Sequence, residues 1–249
     1  MKVIAIAAQK GGVGKTSTAF ALASALHNRG KRVLAIDLDP QASLSNILGV
    51  EDMPPNIADF YCSFVDLSAA VMSIPEAFDV IASDARLWNL TDEQQARGVK
   101  RFGAALRRLS TQYDYAVIDT PPSLGGYTVA ALAASDYVVA PLQVDRHAVA
   151  CLRQMADTLD AIRETNEGLT FAGVLITRLF PRLKTTRILL PLIEAEAEAM
   201  GGRVFASTVR ECSALRAAEI VQLDIFRYAP KSNAAADYSA FVDELLTII

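Results

Sequence analysis

Apolar residues along the chain come in short unbroken runs that alternate with longer stretches of helical spacing. Val3 to Ala8 is the first run and ends at a glycine-rich turn. Ser17 to His27 follows with apolar positions three and four apart, and Asn28-Arg29-Gly30 supplies a stop. Lys31 to Asp37 predicts a second strand. Further strands are predicted over Phe78 to Ala82, Tyr113 to Ile118, Tyr137 to Pro141, Leu169 to Thr177 and Arg203 to Phe205. Helices are predicted over Asp92 to Leu109, Tyr127 to Ala134, Ala148 to Arg163, Thr185 to Met200, and from about Ser232 to the C-terminus. Runs that stay apolar, without polar alternation, are strands buried on both faces, as in parallel sheets. Strand–helix alternation therefore predicts an α/β fold, a single doubly wound, mostly parallel sheet flanked by helices. There is no internal repeat or low-complexity tract, and the proline-rich segment 52–56 is too short to act as a linker between domains. Residues 1–249 read as one domain.

Composition narrows the setting. With 249 residues, 52% hydrophobic and 21% charged, the chain can bury a sizeable core. A mean hydropathy of +0.25 raises the question of a membrane protein. Charges interrupt every apolar run well before the ~18 residues a spanning helix needs. The first run meets Gln9 and Lys10 rather than a cleavage site, so it reads as a strand and not a secretory signal. Cys62, Cys151 and Cys212 are odd in number and far apart, with no C-x-x-C pair, which fits a reduced cytoplasmic compartment. A net charge of −4 argues against a chain coated in nucleic acid but leaves local basic patches open.

The chemistry starts at Lys10-Gly11-Gly12-Val13-Gly14-Lys15-Thr16, between the first strand and the first helix. The second half fits the phosphate-loop pattern G-x-x-x-x-G-K-[ST], while its first glycine would fall on Gln9. Glycines let the backbone approach phosphates and turn its N–H groups inward, and the helix N-terminus adds a favourable field for anions. The loop from Gly11 to Ser17 is expected to cradle a nucleoside triphosphate. Lys15 would bridge the β- and γ-phosphates, and the Thr16 hydroxyl would bind Mg²⁺. Asp37 and Asp39 follow the second strand, where two carboxylates beside a phosphate loop suit metal and water positioning. Asp119 ends an apolar strand, the pattern in which a carboxylate holds Mg²⁺ through its water shell.

These residues resemble the ParA/MinD family of deviant Walker A ATPases. KGGVGKT is similar to that family's phosphate loop, and the resemblance extends to Asp37-Leu38-Asp39-Pro40-Gln41 and Ile118-Asp119-Thr120-Pro121-Pro122. The element order matches over nearly the whole chain. Segments Thr208 to Ala218 and Tyr228 to Ser232 are similar to short ParA-type partition proteins of the Soj/ParF kind. The resemblance implies ATP and Mg²⁺ as cofactors and an ATP-dependent homodimer. In it, Lys10 is the signature lysine that reaches the partner subunit's nucleotide. It further implies that Asp39 orients the attacking water, that Asp37 lies near the magnesium shell, and that hydrolysis is slow. Adenine is expected against the loops holding Thr177, Arg178, Val209 and Arg210, although the asparagine many relatives carry near Thr177 is missing.

Three features separate the possible uses of ATP. The C-terminal segment from Tyr238 to Ile249 has two acids and no base, unlike the basic amphipathic helix of membrane-bound MinD relatives, so no membrane partner is expected. The cysteines do not fit the cluster ligands of the nitrogenase iron protein. Basic residues form two clusters: Arg97, Lys100, Arg101, Arg107 and Arg108, spaced to share a helix face, and Arg178, Arg182, Lys184 and Arg187. Arg203, Arg210, Arg216 and Arg227 extend the basic surface. Doubled in a dimer, such clusters suit non-specific DNA, and no base-reading motif is visible. No helix-turn-helix domain is expected before the phosphate loop. Glu194, Glu196 and Glu198 read as a solvated face. The resulting expectation is a cytoplasmic, nucleoid-associated ATPase for plasmid or chromosome partition, stimulated by a ParB-like centromere-binding protein. The alternatives are a relative that positions a protein complex on nucleoid or membrane, or an amidoligase-like or metal-linked family member.

Overall fold

A computed structural model describes residues 1–51, 53–179 and 184–249. Seven strands form one sheet: β1 (Lys2–Ile6), β2 (Val33–Asp37), β3 (Val71–Ser73), β4 (Asp79–Ile81), β5 (Tyr115–Asp119), β6 (Tyr137–Leu142) and β7 (Thr170–Ile176). Their order is β3-β4-β2-β5-β1-β6-β7, parallel except for the edge pair β3–β4. The inner strands are buried along almost their whole length, as their unbroken apolar runs predict.

Ten helices are described: α1 (Lys15–Asn28), α2 (Ser43–Leu48), α3 (Ile57–Tyr61), α4 (Asp92–Arg108), α5 (Gly126–Ala134), α6 (Ala148–Arg163), α7 (Lys184–Ala199), α8 (Ser213–Ile220), α9 (Ile225–Tyr228) and α10 (Asn233–Leu246). One face of the sheet carries α3 to α7, packed through Phe60, Phe102, Ala131, Leu159 and Ile193. The other carries α1 and α10, through Leu22, Leu26, Phe241 and Leu245. Helix ends follow local chemistry. Thr91 and Gln94 form a reciprocal capping box at the start of α4, and α10 starts where the Ser232 hydroxyl accepts from the Ala235 N–H.

The long elements lie where the apolar pattern puts them, with ends shifted by one to three residues; the last helix stops at Leu246 rather than at the C-terminus. Arg203 to Phe205 does not form a strand. Val174 exchanges two backbone bonds with Arg203 and Phe205, but the next amides, Ala206 and Ser207, donate instead to the Glu244 carboxylate on α10, each at 2.8 Å. That carboxylate holds residues 206 and 207 between two isolated bridges, Val174–Val204 and Thr177–Val209, so no continuous strand forms. The apolar pattern does not predict the short elements α2, α3, β3, α8 and α9, because spans of three to eight residues carry too few positions to show a period.

Two packing details carry expected outcomes. A Cβ on Gly98 would lie 2.0 Å from the Tyr61 ring, which is fully buried between α3 and α4. Gly98→Ala gains helix propensity but cannot avoid that overlap, so a net loss of roughly 1–3 kcal/mol is expected in urea unfolding. In a Tyr61→Ala background the same change should be neutral or stabilising. An equal loss in both backgrounds would show that the Tyr61 ring is not the cause.

Arg86 ties α3 to the loop after β4. It donates to both Asp59 oxygens at 2.7 and 3.0 Å, to Asp84 at 2.7 Å and to Asn56 at 3.1 Å. Those hydrogen bonds from Arg86 hold the Asp59 carboxyl below its ordinary range. A depressed carboxyl contributes stability above its unfolded pKa of ~3.9, and that stability is lost as pH falls through the lower folded value. Arg86 is itself about half exposed, so Arg86→Ala should cost only about 1–2 kcal/mol at pH 7. The difference from the parent should shrink towards zero below about pH 4, followed by circular dichroism against pH.

Candidate functional site

The carboxyl ends of β1, β2 and β5 meet at the sheet edge where the chain reverses its direction of winding, the place where open α/β sheets bind ligands. After β1 the chain turns through Gly12 and Gly14, at φ of 72° and 90°, conformations that disfavour any side chain. Carbonyls of this loop are tied outward. Gln143 Nε2 donates to the Gly12 carbonyl at 3.1 Å, the Thr177 hydroxyl to that of Val13 at 2.8 Å, and Lys15 Nζ to that of Lys10 at 3.2 Å. Among the described residues, no amide from Gly11 to Gly14 donates a backbone hydrogen bond. The loop thus presents a concave set of donors at the N-terminus of α1, an arrangement built for an anion.

Three acids face this loop. β2 and β5 pair in parallel with Asp37 directly beside Asp119, both fully buried. Burial pushes the Asp37 carboxyl up to about 6, although it accepts from the Asp39 N–H at 3.0 Å, the Ser45 N–H at 2.9 Å and the Ser45 hydroxyl at 2.8 Å. Neither oxygen of Asp119 has a hydrogen-bond partner among the described residues, although the Thr16 hydroxyl is near enough to favour its charged form. Burial and the neighbouring Asp37 push its carboxyl well above the usual range. Burial lowers Lys15, which is 6% exposed, while the charges of Asp119 and Asp39 work the other way. Asp39 accepts from the Gln41 N–H at 2.9 Å and lines the cleft with Gly11 to Ser17, Ser43 and Pro122.

An orphaned buried carboxylate beside a hydroxyl and a second carboxylate is an oxygen-donor set suited to a hard divalent cation. Asp119 and Thr16 are free to serve one, whereas Asp37 is already committed to three bonds and fits the shell behind them. The cleft continues past Ser17 to Thr177, Arg178, Val209 and Arg210. Arg178 is held at φ 50° by its N–H bond to the Val209 carbonyl at 2.7 Å. The Arg210 guanidinium is fastened to Asp237, so Arg210 offers the cleft its backbone and side-chain stem. Three lining or supporting residues had no sequence signal: Glu219, which accepts from the Ser17 hydroxyl at 2.5 Å, Gln143 and Ser45.

Lys10 is not among the residues lining the cleft and forms an ion pair with Asp145, both side chains part-exposed. The basic clusters do not merge. α5 and α6 stand between α4 and α7, so Arg97 to Arg108 and Lys184 with Arg187 lie at opposite ends of one helical layer. On α4, Arg97 pairs with Glu93, Arg101 donates to Ser63 and lies over the Phe60 ring, and Arg108 is 4.0 Å from Asp66; Lys100 and Arg107 are exposed. Arg178 and Arg216 line the cleft, Lys184 and Arg187 are at the start of α7, and all four are exposed, with Arg216 paired to Glu211. Arg182 lies outside the described residues. No described helix is long and apolar enough to cross a membrane.

Comparison with known proteins agrees with this geometry. A family model described as an AAA domain matches residues 1–171. The sporulation initiation inhibitor protein Soj of Bacillus subtilis is 34% identical over 98% of both chains. Among solved structures, an ATP complex of an aspartate-to-alanine variant of Cyanothece McdA superposes with a TM-score of 0.84 at 27% identity, over 99% of this chain and 96% of that one. Cobyrinic acid a,c-diamide synthase of Mycobacterium smegmatis, with an ATP analogue and magnesium bound, gives a TM-score of 0.82 at 29% identity, over 99% and 94%. The fold and phosphate loop define a P-loop nucleotide-binding protein. Within that class, the chain belongs to the ParA/MinD family of ATPases, and structures similar to it have been solved with an ATP analogue and magnesium bound.

Proposed function

We propose that this protein is a slow, dimerising ATPase that binds DNA without sequence preference and drives plasmid or chromosome partition. The observation that carries the reading is the position of Lys10. Its side chain is not among those lining the phosphate cleft and is held by Asp145, both part-exposed, so a second subunit could receive it. The similarity to Soj supports the same use.

The geometry supports the following residue roles. Loop amides and Lys15 bind and orient the phosphates, and the α1 N-terminus favours their charge. Bound magnesium would neutralise phosphate charge, held through Thr16 and Asp119 with Asp37 behind them. Asp39, fixed by the Gln41 amide, holds the attacking water and takes up its proton. Lys10 from the facing subunit replaces its bond to Asp145 by one to phosphate. The adenine lies between Thr177, Arg178, Val209 and Arg210. Arg178 and Arg216, which line the cleft, are the stronger DNA candidates, because dimerisation would change their surroundings; Lys184 and Arg187, at the start of α7, rank behind them. Arg97, Lys100, Arg101, Arg107 and Arg108, with Arg182, are the weaker set. A ParB-like centromere-binding protein stimulates hydrolysis, and the protein works in the cytoplasm on the nucleoid.

The test is duplex DNA binding with ATP, with ADP and without nucleotide, at two salt concentrations. Binding that needs ATP, ignores sequence and falls steeply with salt supports the reading. No DNA binding in any state removes it. ATP turnover coupled to amidation of a small carboxylic acid would favour the second reading, suggested by the similarity to cobyrinic acid a,c-diamide synthase.

A further inference from the structure

Helix α7 leaves an apolar stripe uncovered. Its buried line is Thr186, Ile193 and Ala197. On the opposite side Ile188 is 66% exposed and Leu192 50% exposed, with Pro191, Ala195 and Ala199 exposed on the same stripe. Positions 188, 191, 192, 195 and 199 recur at the three- and four-residue spacing that makes one continuous helix face. An isolated exposed Leu needs no explanation, but a helical stripe with two large side chains standing out of it marks an interaction surface. Proline in a helix interior also costs stability, and at position 191 it is exposed.

The charges beside the stripe say what covers it. Lys184 and Arg187 occupy the first half of α7, and Glu194 and Glu198 the second half. Arg187, Glu194 and Glu198 fall on the same flank when the helix is turned at 100° per residue. Glu196 lies on the other flank and is paired with Arg153 of its own chain. One helix therefore carries a basic end, an apolar middle and an acidic end. That pattern is complementary to itself reversed.

We propose that the exposed face of α7 is a docking surface for a second copy of this chain, the two α7 helices meeting antiparallel about a two-fold axis near Pro191 and Leu192. A two-fold axis keeps each flank against the same flank of the copy. Arg187 then falls between Glu194 and Glu198 of the other copy, Lys184 falls near its Glu198, and each contact occurs twice. Ile188 meets Ala195, the large side chain seated over the small one, and the low profile of Pro191 and Ala195 lets the backbones approach. One helix face buries less than the ~1,200 Å² of a stable interface, so the contact is weak between single chains. This surface lies on the sheet's α3–α7 side, apart from the nucleotide cleft, and requires neither ATP nor DNA.

Sedimentation velocity over a concentration series, without nucleotide or DNA, tests it. Two charge-reversed proteins are compared: Lys184→Glu with Arg187→Glu, and Glu194→Lys with Glu198→Lys. Each alone places like charges across the axis and should self-associate at least roughly tenfold more weakly than the parent. An equimolar mixture restores opposite charges at both ends and should associate nearly as well as the parent. Leu192→Cys, in a background with Cys62, Cys151 and Cys212 changed to Ser, should form a disulfide-linked dimer on mild oxidation, faster than Ile220→Cys, a control on α8 that is 81% exposed. The proposal fails if the parent shows no concentration dependence, if mixing restores nothing, or if the two cysteine variants cross-link at equal rates. None of these outcomes depends on the DNA or ATP reading.

Discussion

Lys15→Ala is expected to abolish ATP binding, weakening it by ~100-fold or more, on the order of 3 kcal/mol. Lys15 is 6% exposed, and its charge interacts with those of Asp119 and Asp39 at the phosphate loop. Its removal takes away the charge that would meet the β- and γ-phosphates and leaves three carboxylates facing an incoming polyanion. The change also withdraws the charge that favours ionised Asp119. Lys15→Met, which keeps most of the buried volume, separates loss of charge from loss of packing and should bind as poorly. Titration calorimetry with a non-hydrolysable analogue measures both, with thermal unfolding to confirm that each variant folds. Affinity within tenfold of the parent would remove Lys15 from the phosphate site.

Asp39→Ala should have the opposite profile: ATP binding and dimerisation kept, turnover down by ~10²–10⁴-fold. Asp39 stands at the end of β2 with its carboxylate fixed by the Gln41 amide and its carbonyl by the Ser83 hydroxyl at 2.8 Å. Among the described residues no hydrogen bond joins it to the phosphate loop, although its charge acts on Lys15. A carboxylate held still and facing the cleft suits water orientation, which matters only as the bond breaks. Steady-state phosphate release and light scattering with ATP read the two effects separately. Normal turnover would reassign the base, and loss of ATP affinity in step with turnover would show that Asp39 acts in binding.

What is legible of the site in the sequence is what neighbours in the chain build. The loop from Lys10 to Thr16 is one contiguous turn whose glycines, lysine and threonine each have a local reason. Asp37 and Asp119 are visible as strand-end acids, and parallel pairing of two inner strands makes their approach expected. What escapes is what the fold brings from far away. Asp145 reaches Lys10 across 135 residues and Glu219 reaches Ser17 across 202. Neither has any local signature, because a lone acid in a loop or on a helix looks like any surface acid. The two basic clusters are equally legible, but their separation is not. Only the order of α4 to α7 across the sheet shows that they cannot form one surface on a single chain.

The register of β2 against β5 has a consequence for the protein's fate in a cell. To complete its sheet the chain must set two carboxylates side by side where water does not reach, with one of them unbonded. A ligand that relieves this load binds only the folded form, and at a hundred times its Kd it adds about 2.7 kcal/mol to stability. The nucleotide pool then acts as a chaperone by mass action. A starved chain would melt at lower temperature and be cut sooner by proteases, so its abundance would follow the energy charge before any switch is thrown.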